Sequence, residues 1–124
     1  MRLGLLAGES IRSFSPIFFR RIHGLFYQQY TPQSENWKQE LSGLRWTGFN
    51  VTTPYKEAIF PYLDEVSPEV QVIQAANTVV VLPDGKWIGY NTDFRAALEI
   101  LEEMRRTSPA WESIVLLGTG GAAR

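Results

Sequence analysis

Short apolar runs that stop abruptly at small or polar residues constrain this chain more than any other feature. Leu3-Gly4-Leu5-Leu6-Ala7 ends at Gly8, Val79-Val80-Val81-Leu82 at Pro83, and Ile114-Val115-Leu116-Leu117 at Gly118. Runs this short, apolar on both faces, fit strands covered from both sides, as in a parallel sheet between helix layers. Trp46-Thr47-Gly48-Phe49-Asn50-Val51 reads as a further strand, and residues 26–30 alternate weakly as a short one. Helical segments lie between the strands. Ser15-Pro16 reads as an N-cap followed by proline in the first turn, Ile17, Phe18 and Ile22 give an apolar face, and Gly24 is the stop. Ser34 or Asn36 caps a helix to about Leu44, and residues 56–63 form one broken by Pro61. Asp64-Glu65 opens another, its acids placed where the helix dipole favours them. Phe94, Ala97, Leu98, Leu101 and Met104 fall at helical spacing in residues 94–106. Pro83-Asp84-Gly85-Lys86 joins Val79-Val80-Val81-Leu82 to Trp87-Ile88-Gly89-Tyr90 as a hairpin, adding an antiparallel pair. The expectation is a three-layer α/β/α sandwich with a mixed, mainly parallel sheet. Residues 1–107 are read as one domain with its linking helix, and residues 108–124 as the start of a second.

Composition narrows the chemistry. The formal net charge of −1 gives no general case for nucleic acid or an anionic membrane surface. Arg20-Arg21 and Arg105-Arg106 read as solvated helix ends. With no cysteine, disulfides, thiolate catalysis and Cys-based zinc sites are excluded, and no metal is expected. The apolar start is too short to cross a bilayer or to serve as a secretory h-region, so a cytoplasmic protein is expected. Asn50-Val51-Thr52 also fits the glycosylation pattern, without any accompanying sign of secretion. His23, the single histidine, reads as a helix C-terminal residue and not as a catalyst.

Polar residues cluster where the strands end, which is where open α/β sheets bind ligands. The set is Ser13 and Ser15; Asn50, Thr52 and Lys56; Asn77; and Thr92 with Asp93. A lysine and an aspartate meeting over a polyol form a proton-transfer pair: the ammonium donates to an oxygen gaining charge, while the carboxylate fixes the lysine and a hydroxyl. Serine, threonine and asparagine supply dense neutral hydrogen bonding for a small hydroxylated carboxylate. Each stretch also has a plainer reading. Ser15 can be a cap alone, and Lys56 with Asp93 an exposed ion pair worth roughly 0–1 kcal/mol. Gly118-Thr119-Gly120-Gly121 after a strand opens a dinucleotide-binding fingerprint, although the sequence stops at Arg124 before the helix such a loop needs.

The ordered series Ser13-Phe14-Ser15-Pro16, Asn50-Val51-Thr52-Thr53-Pro54-Tyr55-Lys56, Ala76-Asn77-Thr78, Gly89-Tyr90-Asn91-Thr92-Asp93 and Gly118-Thr119-Gly120-Gly121-Ala122-Ala123-Arg124 resembles shikimate dehydrogenase. The resemblance spans essentially the whole chain, as that family's amino-terminal substrate domain and the first strand and glycine loop of its NADP domain. It implies Lys56 and Asp93 as the catalytic pair and Ser13 and Ser15 as holders of the substrate carboxylate. Asn50, Thr52, Lys56, Asn77 and Asp93 are implied as binders of the ring oxygens, and Gly118, Gly120, Gly121 and Ala122 as cofactor contacts. The implied reaction is NADPH-dependent, reversible reduction of 3-dehydroshikimate to shikimate. A paralogue acting on quinate or an amino-substituted analogue, with NAD, and a non-catalytic small-acid-binding module stay open as alternatives. The chain departs from the family where Arg12 replaces the usual histidine, Phe19-Arg20 replaces a His-Asn pair, and Ala75 replaces a glycine; the segment between Ser15 and Asn50 is also short. The 124 residues alone are expected to bind NADPH poorly and to turn over nothing. The strand at residues 114–117 lacks a parent sheet and is expected to fray, to pack on the helix before it, or to pair with another copy of the chain.

Overall fold

Leu5 and Leu6, adjacent on the first strand, belong to two separate cores on opposite faces of one sheet. The computed structural model describes residues 1–108 together with Ser113 and Val115. Among them the strands are β1 (Arg2–Leu6), β2 (Phe26–Tyr30), β3 (Gly48–Val51), β4 (Glu65–Val66), β5 (Thr78–Val81) and β6 (Trp87–Tyr90). The helices are α1 (Ser15–His23), α2 (Trp37–Gly43), α3 (Tyr55–Ala58), α4 (Pro68–Ile73) and α5 (Thr92–Thr107), with a 3₁₀ turn at Phe60–Tyr62. The sheet order is β2-β1-β3-β5-β6-β4. β1 runs parallel to β2 and β3, and β4 parallel to β6, whereas β5 is antiparallel to both β3 and β6. The sheet is therefore mixed and mainly parallel.

Strand alternation sorts the apolar residues into layers. Leu5, Ala7 and Tyr27 face one side, where Phe19 of α1 stacks on Tyr27 with ring centroids 4.7 Å apart. Leu6, Phe49, Val51, Val79 and Trp87 face the other, beneath Leu41 of α2, Ile59 after α3 and Val70 of α4. Trp46 lies just before β3 and closes this larger core over β1: a Cβ on Gly4 would sit 2.2 Å from its ring, so only glycine fits there. Thr47 locks the strand start by donating its backbone N–H to Arg2 O at 2.8 Å.

Two expectations need correction. Ser15 is not the N-cap of α1: Phe14 holds that position, and Ser15 is the first helical residue. Its N–H donates to the Ser13 hydroxyl at 3.1 Å, because a serine two residues upstream reaches the first free amide, and Pro16 has none to satisfy. Asp64 and Glu65 do not open a helix. Glu65 lies in β4, while Asp64 accepts from Trp87 N–H through its carboxylate at 2.8 Å and donates its own N–H to Trp87 O at 2.9 Å. The helix starts at Pro68, leaving Glu69 as the acid in its first turn. α5 forms at the expected place, but its apolar stripe is not buried against the described residues: Phe94, Leu98, Leu101 and Met104 are all exposed. Gly24, in the left-handed region at φ 60°, ends α1 after His23 as anticipated. The strand expected at residues 114–117 and the loop from Gly118 onward lie outside the described residues.

Candidate functional site

The polar ends of β1, β3 and β6 and the entry to β5 meet at one edge of the sheet, because β5 runs against its neighbours. They enclose a cleft of about 490 Å³. Ser13, Ser15, Asn50, Thr52, Lys56, Asn77, Thr92 and Asp93 all line it, together with Arg12 and Phe14. The fold thus brings together every anticipated site residue up to Asp93. Gly118, Gly120, Gly121 and Ala122 fall outside the described residues.

The backbone fixes this gathering. Gly8 donates its N–H to Thr53 O at 3.0 Å and lies so close to Pro54 that an added Cβ would meet its Cδ at 2.8 Å. The Thr53–Pro54 bond is cis. Thr52 N–H donates to Leu6 O at 3.0 Å and Tyr55 N–H to Thr52 O at 2.9 Å, so α3 starts directly above the end of β3. Ala76 N–H, donating to Lys56 O at 2.9 Å, ties α3 to the approach to β5. Gln29 Nε2 donates to Ile11 O at 2.8 Å and holds the loop that carries Ser13 and Ser15. The Ser13 hydroxyl in turn donates to Ser15 Oγ at 3.0 Å.

Lys56 Nζ lies 2.5 Å from Asp93 Oδ2. The lysine side chain is 18% exposed and the carboxylate 50%, so the pair sits at the cleft surface with the ammonium the more sheltered. Asp93 owes its place to buried Asn91. This side chain accepts from Phe94 N–H at 3.0 Å as the cap of α5, and its Nδ2 donates to Ala75 O at 3.0 Å. Beneath the pair runs a neutral hydrogen-bond chain. Tyr27 hydroxyl donates to Asn50 Oδ1 at 2.9 Å, Asn50 Nδ2 to Thr78 Oγ1 at 3.3 Å, and Thr78 hydroxyl to Asn77 Oδ1 at 2.9 Å. Asn77 Nδ2 donates to Thr92 Oγ1 at 2.9 Å, and its carbonyl accepts Thr92 N–H at 3.0 Å. Burial pushes the Tyr27 hydroxyl up to about 12, partly offset by a hydrogen bond with Ser15, so it stays a neutral donor at physiological pH.

Such a cleft can take a small polyhydroxylated acid, with one proton-donating cation at the carboxylate-paired end. Among the described residues no cluster of histidine and acidic side chains can hold a metal. Sequence reasoning missed Tyr27 and quoted Thr78 only within the Ala76-Asn77-Thr78 motif, because both reach Asn50 only through strand pairing. Asn91 was legible in principle as a capping residue three positions before Phe94.

A family model described as the shikimate dehydrogenase substrate binding domain matches residues 6–79. The shikimate dehydrogenase (NADP(+)) of Desulforamulus reducens is 38% identical over 98% of this chain and 44% of its own length. A shikimate dehydrogenase solved in complex with NADP+ superposes with a TM-score of 0.75 at 39% identity, covering 98% of this chain and 44% of that one. The shikimate 5-dehydrogenase of Thermus thermophilus, solved in complex with shikimate, gives 0.72 at 32% identity, over 99% of this chain and 49% of its own. The chain therefore spans just under half the length of these relatives. With the matched segment reaching from the end of β1 into β5, the chain belongs to the shikimate dehydrogenase family, in the part that forms its substrate-binding domain.

Proposed function

We propose that this chain is the substrate-binding half of an NADP-linked shikimate dehydrogenase, which reversibly reduces 3-dehydroshikimate to shikimate in aromatic amino-acid biosynthesis. The observation that carries this reading is the Lys56–Asp93 pair, set above a floor of neutral hydrogen-bonding side chains. Ser13 and Ser15 hold the substrate carboxylate, while Asn50, Thr52, Asn77 and Asp93 hold the ring hydroxyls. Bound NADPH would supply the hydride for the carbonyl carbon. Lys56 Nζ donates its proton to the carbonyl oxygen, which becomes the hydroxyl, and the neutral amine recovers a proton from solvent. Asp93 fixes Lys56 and accepts from the neighbouring hydroxyl. Residues 1–107 are assigned to this domain. Residues 108–124 are assigned to the start of the NADP domain, with Gly118, Gly120, Gly121 and Ala122 as its phosphate-binding loop. The reading places the protein in the cytoplasm.

Titration of shikimate into the isotopically labelled protein, followed by amide NMR, tests it. Saturable shifts at Ser13, Ser15, Thr52, Lys56, Asn77 and Asp93 are expected. A tighter response to quinate run in parallel would move the assignment to a paralogue. If the full-length enzyme carrying Lys56→Ala kept its kcat, the assigned proton donor would be wrong.

A further inference from the structure

We infer that Arg12 supplies the charge that recognises the substrate's carboxylate, and so makes the cleft selective for ring acids over their neutral analogues. The inference rests on the reading of the cleft as the site of a hydroxylated ring acid. Arg12 lines the cleft beside Ser13, Phe14 and Ser15, and it is one of the chain's departures from its family. Three charged side chains line that space: Arg12, Lys56 and Asp93. Lys56 and Asp93 pair with each other, so their charges cancel and Arg12 leaves the cleft with one net positive charge. The whole chain carries a formal −1, so this surplus is local, and it complements a single carboxylate.

The donors of the neighbouring serines are already engaged. A hydroxyl carries one hydrogen. That of Ser13 goes to Ser15 Oγ at 3.0 Å, and Ser15 in turn hydrogen-bonds the Tyr27 hydroxyl. The Ser15 amide donates to Ser13 Oγ at 3.1 Å, and Pro16 has no amide to offer. Either serine therefore reaches a carboxylate only by giving up a bond it already makes, an exchange with little net gain. The Arg12 guanidinium has five N–H donors, and none of them enters a hydrogen bond or ion pair among the described residues. A guanidinium meets a carboxylate through two parallel N–H···O bonds, a geometry that a hydroxyl does not provide. The backbone that carries it is held in place. Ile11 N–H donates to Gly8 O at 3.0 Å, Ile11 O accepts from Gln29 Nε2 at 2.8 Å, and the Ile11 side chain packs on the smaller core. Only the arginine side chain has to order when a ligand arrives, which limits the entropic cost. The two cations then divide the work, Arg12 binding the acid group and Lys56 serving the reacting oxygen.

Steady-state kinetics of the full-length enzyme, with an acid and its neutral ester, separate charge recognition from a merely structural role. Arg12→Gln should raise KM for 3-dehydroshikimate about 10- to 30-fold, the scale of one charge-assisted contact, with kcat changed less than about 3-fold. KM for the methyl ester of 3-dehydroshikimate should differ less than about 3-fold between the two enzymes, because the ester has no charge to pair. Arg12→Lys should recover only part of the loss, since an ammonium cannot make the two parallel bonds. Arg20→Gln removes an exposed arginine of α1 that does not line the cleft, and should leave both KM values unchanged. In the labelled protein the Arg12 Nε–H resonance reads the contact without turnover. It should shift with shikimate or quinate and stay in place with methyl shikimate. If the full-length enzyme turned over neither shikimate nor quinate, the proposed reaction would fall, while an Arg12 shift with either acid would still support this inference. An acid KM within about 2-fold of the parent in Arg12→Gln, an equal loss for acid and ester, or an Arg12 resonance indifferent to both acids would overturn it.

Discussion

Replacing Asn91 tests how the edge of the cleft is held in place. In Asn91→Ala two backbone groups lose their partners: the Phe94 N–H at the start of α5 and the carbonyl of fully buried Ala75. Loss of an N-cap costs about 1 kcal/mol. The orphaned buried carbonyl adds about 1–2 kcal/mol, because water cannot replace the lost donor. The sum is about 2–3 kcal/mol, a large share of the stability of an ordinary small domain. Asn91→Ser keeps an acceptor for Phe94 N–H but cannot reach Ala75 O, so it should recover about 1 kcal/mol of the loss. Urea unfolding followed by far-ultraviolet circular dichroism, with m unchanged across the series, measures these differences. In the full-length enzyme Asn91→Ser should also retain more kcat than Asn91→Ala, since the cap orients the turn that carries Asp93 toward Lys56. Equal destabilisation by alanine and serine, or a loss below about 0.5 kcal/mol for alanine, would refute the assignment of Asn91 as a two-ended tie.

Three further outcomes are expected. Gly4→Ala should destabilise by about 3 kcal/mol through its clash with the Trp46 ring and cost clearly less in a Trp46→Phe background, because the ring atoms it meets are absent from phenylalanine; a double-mutant cycle by urea unfolding checks this. The Tyr27 hydroxyl, raised from 10 to about 12, contributes stability that is complete below pH 10 and lost as pH rises through about 12; Tyr27→Phe should therefore flatten part of the alkaline limb of a stability–pH profile. Asp93→Asn in the full-length enzyme should lower kcat about 100-fold or more, with a smaller change in KM, measured by steady-state reduction of 3-dehydroshikimate.

The order of elements was legible because buried parallel strands and capped helices leave local signatures. Leu3 to Ala7, the Pro83–Asp84–Gly85 turn and Gly24 each announce themselves within a few residues. What the sequence concealed depends on pairing across distance. β4 is two residues long and has no periodicity, so Asp64-Glu65 looked like a helix start until Trp87 supplied the partner. Ser15 read as the cap from its place before Pro16, and only the bend of the loop shows that the Ser13 hydroxyl is the one that meets the free amide. The polar residues at the cleft were each readable, whereas the links between them through Tyr27 and Thr78 were not, because these side chains meet across strands 23 and 28 residues apart.

The same dispersal has a consequence for folding. The cleft draws on positions from Ser13 to Asp93, joined by contacts far apart in sequence, so no single hairpin or helix pair contains a working part of it. The β5–β6 hairpin can form early from local contacts, but the cleft closes only after the parallel pairs of β1 with β2 and β3 have formed. A ligand that bridges Ser13 and Asp93 therefore has no partly folded state to bind, and its whole binding free energy opposes global unfolding. Occupancy of the cleft by such a ligand then also sets how long the chain stays folded.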